Sequence, residues 1–331
     1  MLEPVNQFRA TVFAALGNAP ESIEPGRLHR FSTNGKRGDK AGWCQFFADG
    51  RAGVFGCWRE GTQGVWTATD RRNMSPVQTA ELARQIKAAA AAREAAKRAG
   101  WGEAADRLAA LWTACEPVSA DGTGTDPVTL YLRHRLALPP GDALAVPEVL
   151  RLHPDLAYHH DGVTAGRWPA MVAVLQGPDG AGVALHRTWL TTDGRKAPTP
   201  GPAKKLTPAA GPVMTGCIRL AWPGEEAGDV LGIAEGIETA LAARQASGVP
   251  TVAAYSASAL SAWQWPRGLK RLVIFADADP AGADAAQSLK VRAMQAGLKV
   301  ALMTPTRPGA DWCDVWAKRS AFTDATLEGA V

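Results

Sequence analysis

The chain has 331 residues, of which 46% are hydrophobic and 21% charged, and a formal net charge of +4. That length can build cores for two or three domains, and the composition excludes a disordered or fibrous chain. No run reaches the roughly 20 apolar residues of a membrane span, and the start MLEPVNQFRA lacks the order of a signal peptide. A cytoplasmic protein with no membrane partner is expected. Cys44, Cys57, Cys115, Cys217 and Cys313 are odd in number and contain no CxxC pair, so they read as core thiols rather than a zinc ribbon or disulfide framework. Charge is uneven. The first 100 residues hold 15 Lys and Arg against 9 Asp and Glu, and the rest hold 21 against 23. A basic front half fits a polyanion partner or simply a solvated surface, and charge alone does not choose.

Residues 1–28 contain a short helical segment, VNQFRATVFAALG. Residues 29–68 alternate short aromatic runs with NG, DG and EG turns, the pattern of a small antiparallel sheet of hairpins. Its loops carry Lys36, Arg37, Lys40, Arg51 and Arg59 among Trp43, Phe46, Phe47, Phe55, Trp58 and Trp66. Cations interleaved with aromatics suit single-stranded nucleic acid, by phosphate pairing and base stacking, although a sheet this small needs most of its aromatics as core. Lys36, Arg37, Lys40, Arg59 and Trp58 are the candidate DNA contacts. Residues 75–115 are rich in Ala, Glu, Lys and Arg and predict a helix from Ser75-Pro76, broken near Gly100–Gly102 and followed by a second helix.

After the turn-rich DGTGTDP and the helix PVTLYLRHRLAL, the block 143–223 is β-rich, with MVAVLQG, VALHRTWLT and IRLAW as strands. From 229, strands and helices alternate at short spacing with Gly-marked helix ends, which predicts a parallel sheet with helices on both faces. The fold class is therefore α/β. A C-terminal parallel sheet with flanking helices follows an α+β region and a small N-terminal β-rich module. The expected divisions are a basic nucleic-acid-binding module at 1–74, a helical connector at 75–120, an α+β subdomain at 121–225 and a catalytic domain at 226–331.

Ligands gather at the carboxyl ends of parallel strands, and here those ends carry acids. Glu235 ends LGIAEG, Asp277 and Asp279 end LVIFADAD, and Asp311 and Asp314 follow KVALMTP. Residues two apart on an extended segment point the same way, so Asp277 and Asp279 can aim into one site. Asp279 also stands where it would cap the next helix, and Glu235 where a helix-start acid would sit. Carboxylates brought together without evident cations call for a hard divalent ion, Mg²⁺ or Mn²⁺, and for chemistry on phosphates.

AEGIETALA followed about 40 residues later by FADADPAGADAA resembles the Toprim domain, shared by bacterial-type primases, topoisomerases and some nucleases. The resemblance spans residues 229–318. It implies Glu235 as the catalytic glutamate and a metal ligand, Asp277 and Asp279 as the catalytic metal-binding pair, and Asp311 of GADWCD as a further ligand, with Glu238 and Asp284 left open. HRTWLTTDGRKA and PAKKLTP resemble the nucleotide-handling half of phage- and plasmid-type primases, which implies Arg187, Lys204 and Lys205 as nucleotide-binding residues. RLHRF, KAGWCQFF and GVFGCWREG resemble their N-terminal module without its four zinc ligands. The resemblance thus implies a DNA primase that joins nucleoside triphosphates on a single-stranded DNA template. The sequence holds no GxxxxGK[ST] phosphate loop, so a separate replicative helicase is the expected partner. A metal-dependent Toprim nuclease would use the same acids, and a non-enzymatic nucleic-acid-binding replication factor would not need them. A topoisomerase fits less well, since the tyrosines are only Tyr131, Tyr158 and Tyr255 and no separate tyrosine-bearing cleavage domain is evident.

Overall fold

The computed structural model describes residues 3–35, 39–57, 62–139, 142–222 and 229–318. The chain divides into two compact units, one of residues 1–99 with 159–163, the other of the remainder.

In the first unit, helix α1 (Pro4–Leu16) begins with Pro at its first turn and ends on Gly17 in the left-handed conformation. Strands β1 (Leu28–Phe31), β2 (Gly42–Phe46), β3 (Ala52–Cys57) and β4 (Thr62–Thr67) form an antiparallel meander in that order, as the turn signals predict. Phe8, Val12 and Leu16 lie on one stripe of α1 and pack with Phe31, Cys44, Phe46, Phe55 and Cys57. Gly53 allows this approach, because a Cβ there would stand 2.6 Å from the Phe8 ring. On the opposite face, Trp43, Ala52 and Val54 meet Leu82 and Ala89 of helix α2 (Pro76–Thr113). The sheet aromatics Trp43, Phe46, Phe47 and Phe55 are thus core.

Helix α2 runs unbroken for 38 residues, which corrects the predicted interruption at Gly100–Gly102. Both glycines are in open space. Each costs the helix only about 1 kcal/mol, and the Ala-, Glu- and Lys-rich flanks absorb that. All five cysteines are buried and unpaired.

In the second unit, β5 (Glu116–Pro117), β6 (Leu150–His160), β7 (Val163–Gln176), β8 (Gly182–Trp189) and β9 (Lys204–Leu206) form a sheet in that order, the hairpin tip 159–163 grouping with the first unit. Helix α3 (Pro127–Arg135), capped by Asp126, lies between β5 and β6 in the chain. IRLAW, predicted as a strand, contributes only the isolated Ile218–Ala253 bridge. β10 (Val230–Ala234), α4 (Ile237–Ser247), β11 (Thr251–Ala253), α5 (Ala257–Ala262), β12 (Arg271–Phe275), α6 (Pro280–Gln295), β13 (Lys299–Met303) and α7 (Trp312–Ala317) follow. Their sheet is parallel, with order β11-β10-β12-β13.

Alternation decides which helix each strand residue meets. Leu231, Ile233, Leu272 and Ile274 face Ala259, Leu260, Ala286 and Leu289 of α5 and α6. Ala234, Val273 and Phe275 face α4 and α7, in a core that continues into Met171 and Ala173 of β7 and Tyr131 and Leu132 of α3. Among the described residues no helix is long and apolar enough to cross a membrane.

Candidate active site

The acids sit where the parallel strands stop. Glu235 directly follows β10, and its carbonyl accepts the Tyr255 N–H at 2.7 Å. Burial and the nearby Asp279 raise the Glu235 carboxyl above its ordinary range, while a hydrogen bond from Ala257 N–H and the charge of Lys204 oppose the shift. Asp277 follows β12 by two residues. Its segment is braced by the 304–311 loop, since Ala278 N–H donates to Ala310 (3.0 Å) and Gly309 N–H donates to Ala278 (2.6 Å). Burial, then Glu235, Asp311 and Asp279, push Asp277 up to about 7. Its Oδ1 is buried without a hydrogen-bond partner among the described residues.

Asp279 is the N-cap of α6, accepting Gly282 N–H at 2.7 Å, and is otherwise exposed. Asp311 is the N-cap of α7, accepting Asp314 N–H at 2.9 Å, and its other oxygen takes Arg135 Nη2 at 3.0 Å. Both Asp311 oxygens are therefore engaged. Asp314 pairs with Arg307 at 2.9 Å, and Asp284 is exposed on α6.

A second polar group, drawn from α3, α4 and β9, lies beside these acids. Glu238, in the first turn of α4, is 3% exposed. Its Oε2 accepts Lys204 Nζ at 2.8 Å, and its Oε1 accepts the Tyr131 hydroxyl. Burial alone would raise its carboxyl, but the Lys204 charge and these hydrogen bonds hold it down at about 2. Tyr131 is pushed up by burial and by Glu238. His186 is buried and held neutral, lowered to about 4 by burial and then by Lys204. Lys196 lies in the field of Lys204, Glu238, Arg135 and Asp311, lowered by burial and then by Lys204. Its ammonium has no ion-pair or hydrogen-bond partner among the described residues.

Register separates the three basic residues the sequence groups together. β8 pairs with β9 as Thr188–Lys204, Arg187–Lys205 and His186–Leu206. Lys204 therefore shares the acid-facing side of the sheet with His186 and Thr188. Arg187 and Lys205 lie on the other side, Arg187 against Trp189 and Lys205 at 3.6 Å from the Tyr158 ring centroid. Arg187 also donates to the Leu206 carbonyl at 2.7 Å. Lys40 is exposed in the first unit. Lys36, Arg37, Trp58 and Arg59 lie outside the described residues. Arg135, Lys196, His186 and Tyr131 belong to the site and carry no sequence signal beyond two basic runs, RHR and GRK.

Among the described residues no three His, Cys, Asp or Glu side chains form a ready-made metal set. The donors nonetheless suit a hard cation. Asp277 offers a buried, unpartnered carboxylate oxygen, and both it and Glu235 are raised despite the field of Lys204. Magnesium is commonly held this way, through one or two carboxylates and substrate phosphates.

Residues 230–321 match the family model described as the Toprim domain. The parallel sheet and the acids at its strand ends lie within this match. Residues 102–216, ahead of it, match a family model described only as a domain of unknown function, DUF7146. No curated protein matches the chain. Solved structures similar to it include a DNA primase domain from Pseudomonas aeruginosa, at 17% identity over 52% of this chain and 53% of that one, with TM-score 0.36. The primase fragment of the bacteriophage T7 primase-helicase protein is 14% identical over 57% and 66%, with TM-score 0.33. The zinc-binding and RNA polymerase domains of Aquifex aeolicus primase are 15% identical over 96% and 83%, with TM-score 0.42. The chain thus spans about half of the Pseudomonas domain.

Proposed function

We propose that the protein is a DNA primase, a nucleotidyltransferase that joins nucleoside triphosphates into short primers on single-stranded DNA. The observation that carries this reading is the pairing of charges at the Toprim edge. Two carboxylates raised by burial and mutual repulsion, Glu235 and Asp277, lie in the field of Lys204, and Lys196 lies near Lys204. A triphosphate needs that combination, lysines for its oxygens and acids for its counter-ion. Glu235 and Asp277 would hold Mg²⁺ or Mn²⁺, which when bound spreads the charge of the transferring phosphoryl group and makes the attacking 3′-hydroxyl more acidic.

The chain's own residues do the rest. Lys204 and Lys196 bind the triphosphate oxygens and steady the departing pyrophosphate. Glu235, its carboxyl raised by burial and by Asp279, takes the proton from the attacking hydroxyl as the new O–P bond forms and the α–β bond breaks. Asp279 keeps its cap and acts through its charge, and Asp311 orients Arg135. Arg187 and Lys205, on the far side of the sheet, steady that sheet. The basic first unit, through Lys40 and the cations of its loops, is the template-binding module, with affinity that falls as salt rises. The reading extends to a phage- or plasmid-type primase that works with a replicative helicase, supported by the sequence motifs.

The test supplies labelled nucleoside triphosphates, single-stranded DNA and Mg²⁺ or Mn²⁺ to the wild type and to Asp277→Asn. Short labelled products from the wild type alone support the reading. A shortened template with no new products would replace it with nuclease activity.

A further inference from the structure

Glu238 is more buried than the acids at the strand ends, and its role, like that of the exposed Asp284, is one the sequence leaves open. Both its carboxylate oxygens are engaged, one by Lys204 and one by Tyr131, so its charge is already paired and hydrogen-bonded within the protein. A buried ion pair is weak as a stabilising device, since an apolar pair of similar volume often serves folding as well or better. What it does well is fix a charge in space.

The charge it fixes is the relevant one. Among the described residues, Lys204 is the cation whose field reaches both Glu235 and Asp277. It also reaches His186 and Lys196. A lysine stem is flexible and its ammonium carries three donors, so unaided it would sample many positions. Here one N–H is tied to Glu238 at 2.8 Å, and two remain without a hydrogen-bond partner among the described residues. The anchor is assembled from three segments far apart in the chain. Lys204 comes from β9, Glu238 from α4, and Tyr131 from α3, 107 residues from Glu238. Tyr131 is itself 2% exposed, so its hydroxyl has little freedom to turn elsewhere.

We infer that Glu238 and Tyr131 are positioning residues. Tyr131 orients the Glu238 carboxylate, and Glu238 pins the Lys204 ammonium where it meets the substrate triphosphate. This rests on the function proposed above and adds to it the means by which the triphosphate cation is set in place before substrate arrives. Pre-orientation of this kind removes an ordering step from each turnover.

The test uses the full chain and the variants Tyr131→Phe and Glu238→Gln. Tyr131→Phe keeps the ring and removes only the hydroxyl. The first readout is independent of turnover. The metal-free protein is labelled with a trace amine-acylating reagent, and modification of each lysine is quantified by mass spectrometry. Lys204 labelling rises several-fold in both variants, more in Glu238→Gln, while Lys205 on the opposite face of β9 stays constant and serves as internal standard. The second readout is steady-state primer synthesis. Loss of one hydrogen bond to a charged group lowers kcat/KM about tenfold in Tyr131→Phe, and Glu238→Asp, which keeps the charge, recovers part of what Glu238→Gln loses. Unchanged Lys204 labelling in Tyr131→Phe overturns the inference, as does an unchanged kcat/KM. If Glu238→Gln fails to fold, Tyr131→Phe alone decides. A wild type that makes no primers sinks the proposed function instead, and the labelling still reports on the anchor.

Discussion

Replacing Asp277 by Asn should make the metal-free protein more stable while abolishing its activity. The Asp277 carboxyl is pushed from an ordinary 3.8 up to about 7 by burial and by Glu235, Asp311 and Asp279. The sign follows from linkage. An acid whose folded pKa exceeds its unfolded one binds more protons when folded, so its contribution is fully favourable below about 4 and is lost as pH climbs through about 7. A gap of about three units at about 1.4 kcal/mol each sets a ceiling of about 4 kcal/mol at pH 8. Solvent screening at a half-buried group reduces this to on the order of 2 kcal/mol. For a chain of this size that is about 3 °C in Tm. Thermal melting in a chelator should show Asp277→Asn above wild type by that margin at pH 8, by less than half of it at pH 5, where the folded Asp277 is neutral but the unfolded one is ionised, and level with it below about pH 4. Addition of Mg²⁺ should raise the wild-type Tm at pH 8 and leave the variant unmoved. A variant that melts below wild type at pH 8, or that keeps the same advantage at pH 5, would refute the reasoning.

Four further outcomes are expected. Lys196→Ala raises KM for the triphosphate about tenfold through the loss of one charge-assisted contact. Lys205→Ala leaves KM unchanged and lowers stability by about 0.5–1 kcal/mol, the value of its contact with Tyr158, as read by urea unfolding. Gly282→Ala lowers kcat at least tenfold with a Tm drop of only a few degrees, because its Cβ would stand 2.9 Å from the Asp277 carbonyl and 3.3 Å from Asp279 Oδ1 and would displace the acid-bearing loop. Lys204→Met costs about 3–5 kcal/mol by leaving Glu238 buried without its cation, and adding Glu238→Leu recovers most of that loss. Denaturant midpoints of the two single variants and the double close the cycle.

The parallel sheet and its acids were legible because both signals are local. Apolar runs of five residues end in Glu or Asp, and Gly marks the helix ends at Gly248 and Gly297. The β1–β4 meander was legible for the same reason, through its turn dipeptides. Strand β6 was not, because LRLHPDLAYHH places a proline and three histidines where alternation would be sought. The continuity of α2 was not, because two exposed glycines read as a break and only the flanking propensity overrides them. At the site, the ties that matter are long-range. Arg135 meets Asp311 across 176 positions and Tyr131 meets Glu238 across 107, and no periodicity encodes such encounters. Arg187, Lys204 and Lys205 looked equivalent because which face a strand residue takes depends on pairing register, which a basic run does not specify.

The adjacent lysines of β9 bear on how this family of chains can vary. The 14 residues between Trp189 and Lys204 form a long loop, the sort of segment that gains and loses residues over evolutionary time. An odd-numbered insertion or deletion that slides β9 by one position exchanges the two faces, and with a lone lysine it would turn the ammonium away from Glu238. With Lys204 and Lys205 side by side, the slid strand still offers an ammonium to each side. The doublet makes the strand indifferent to the parity of the loop before it, so loop length can drift while the charge facing the acids is kept.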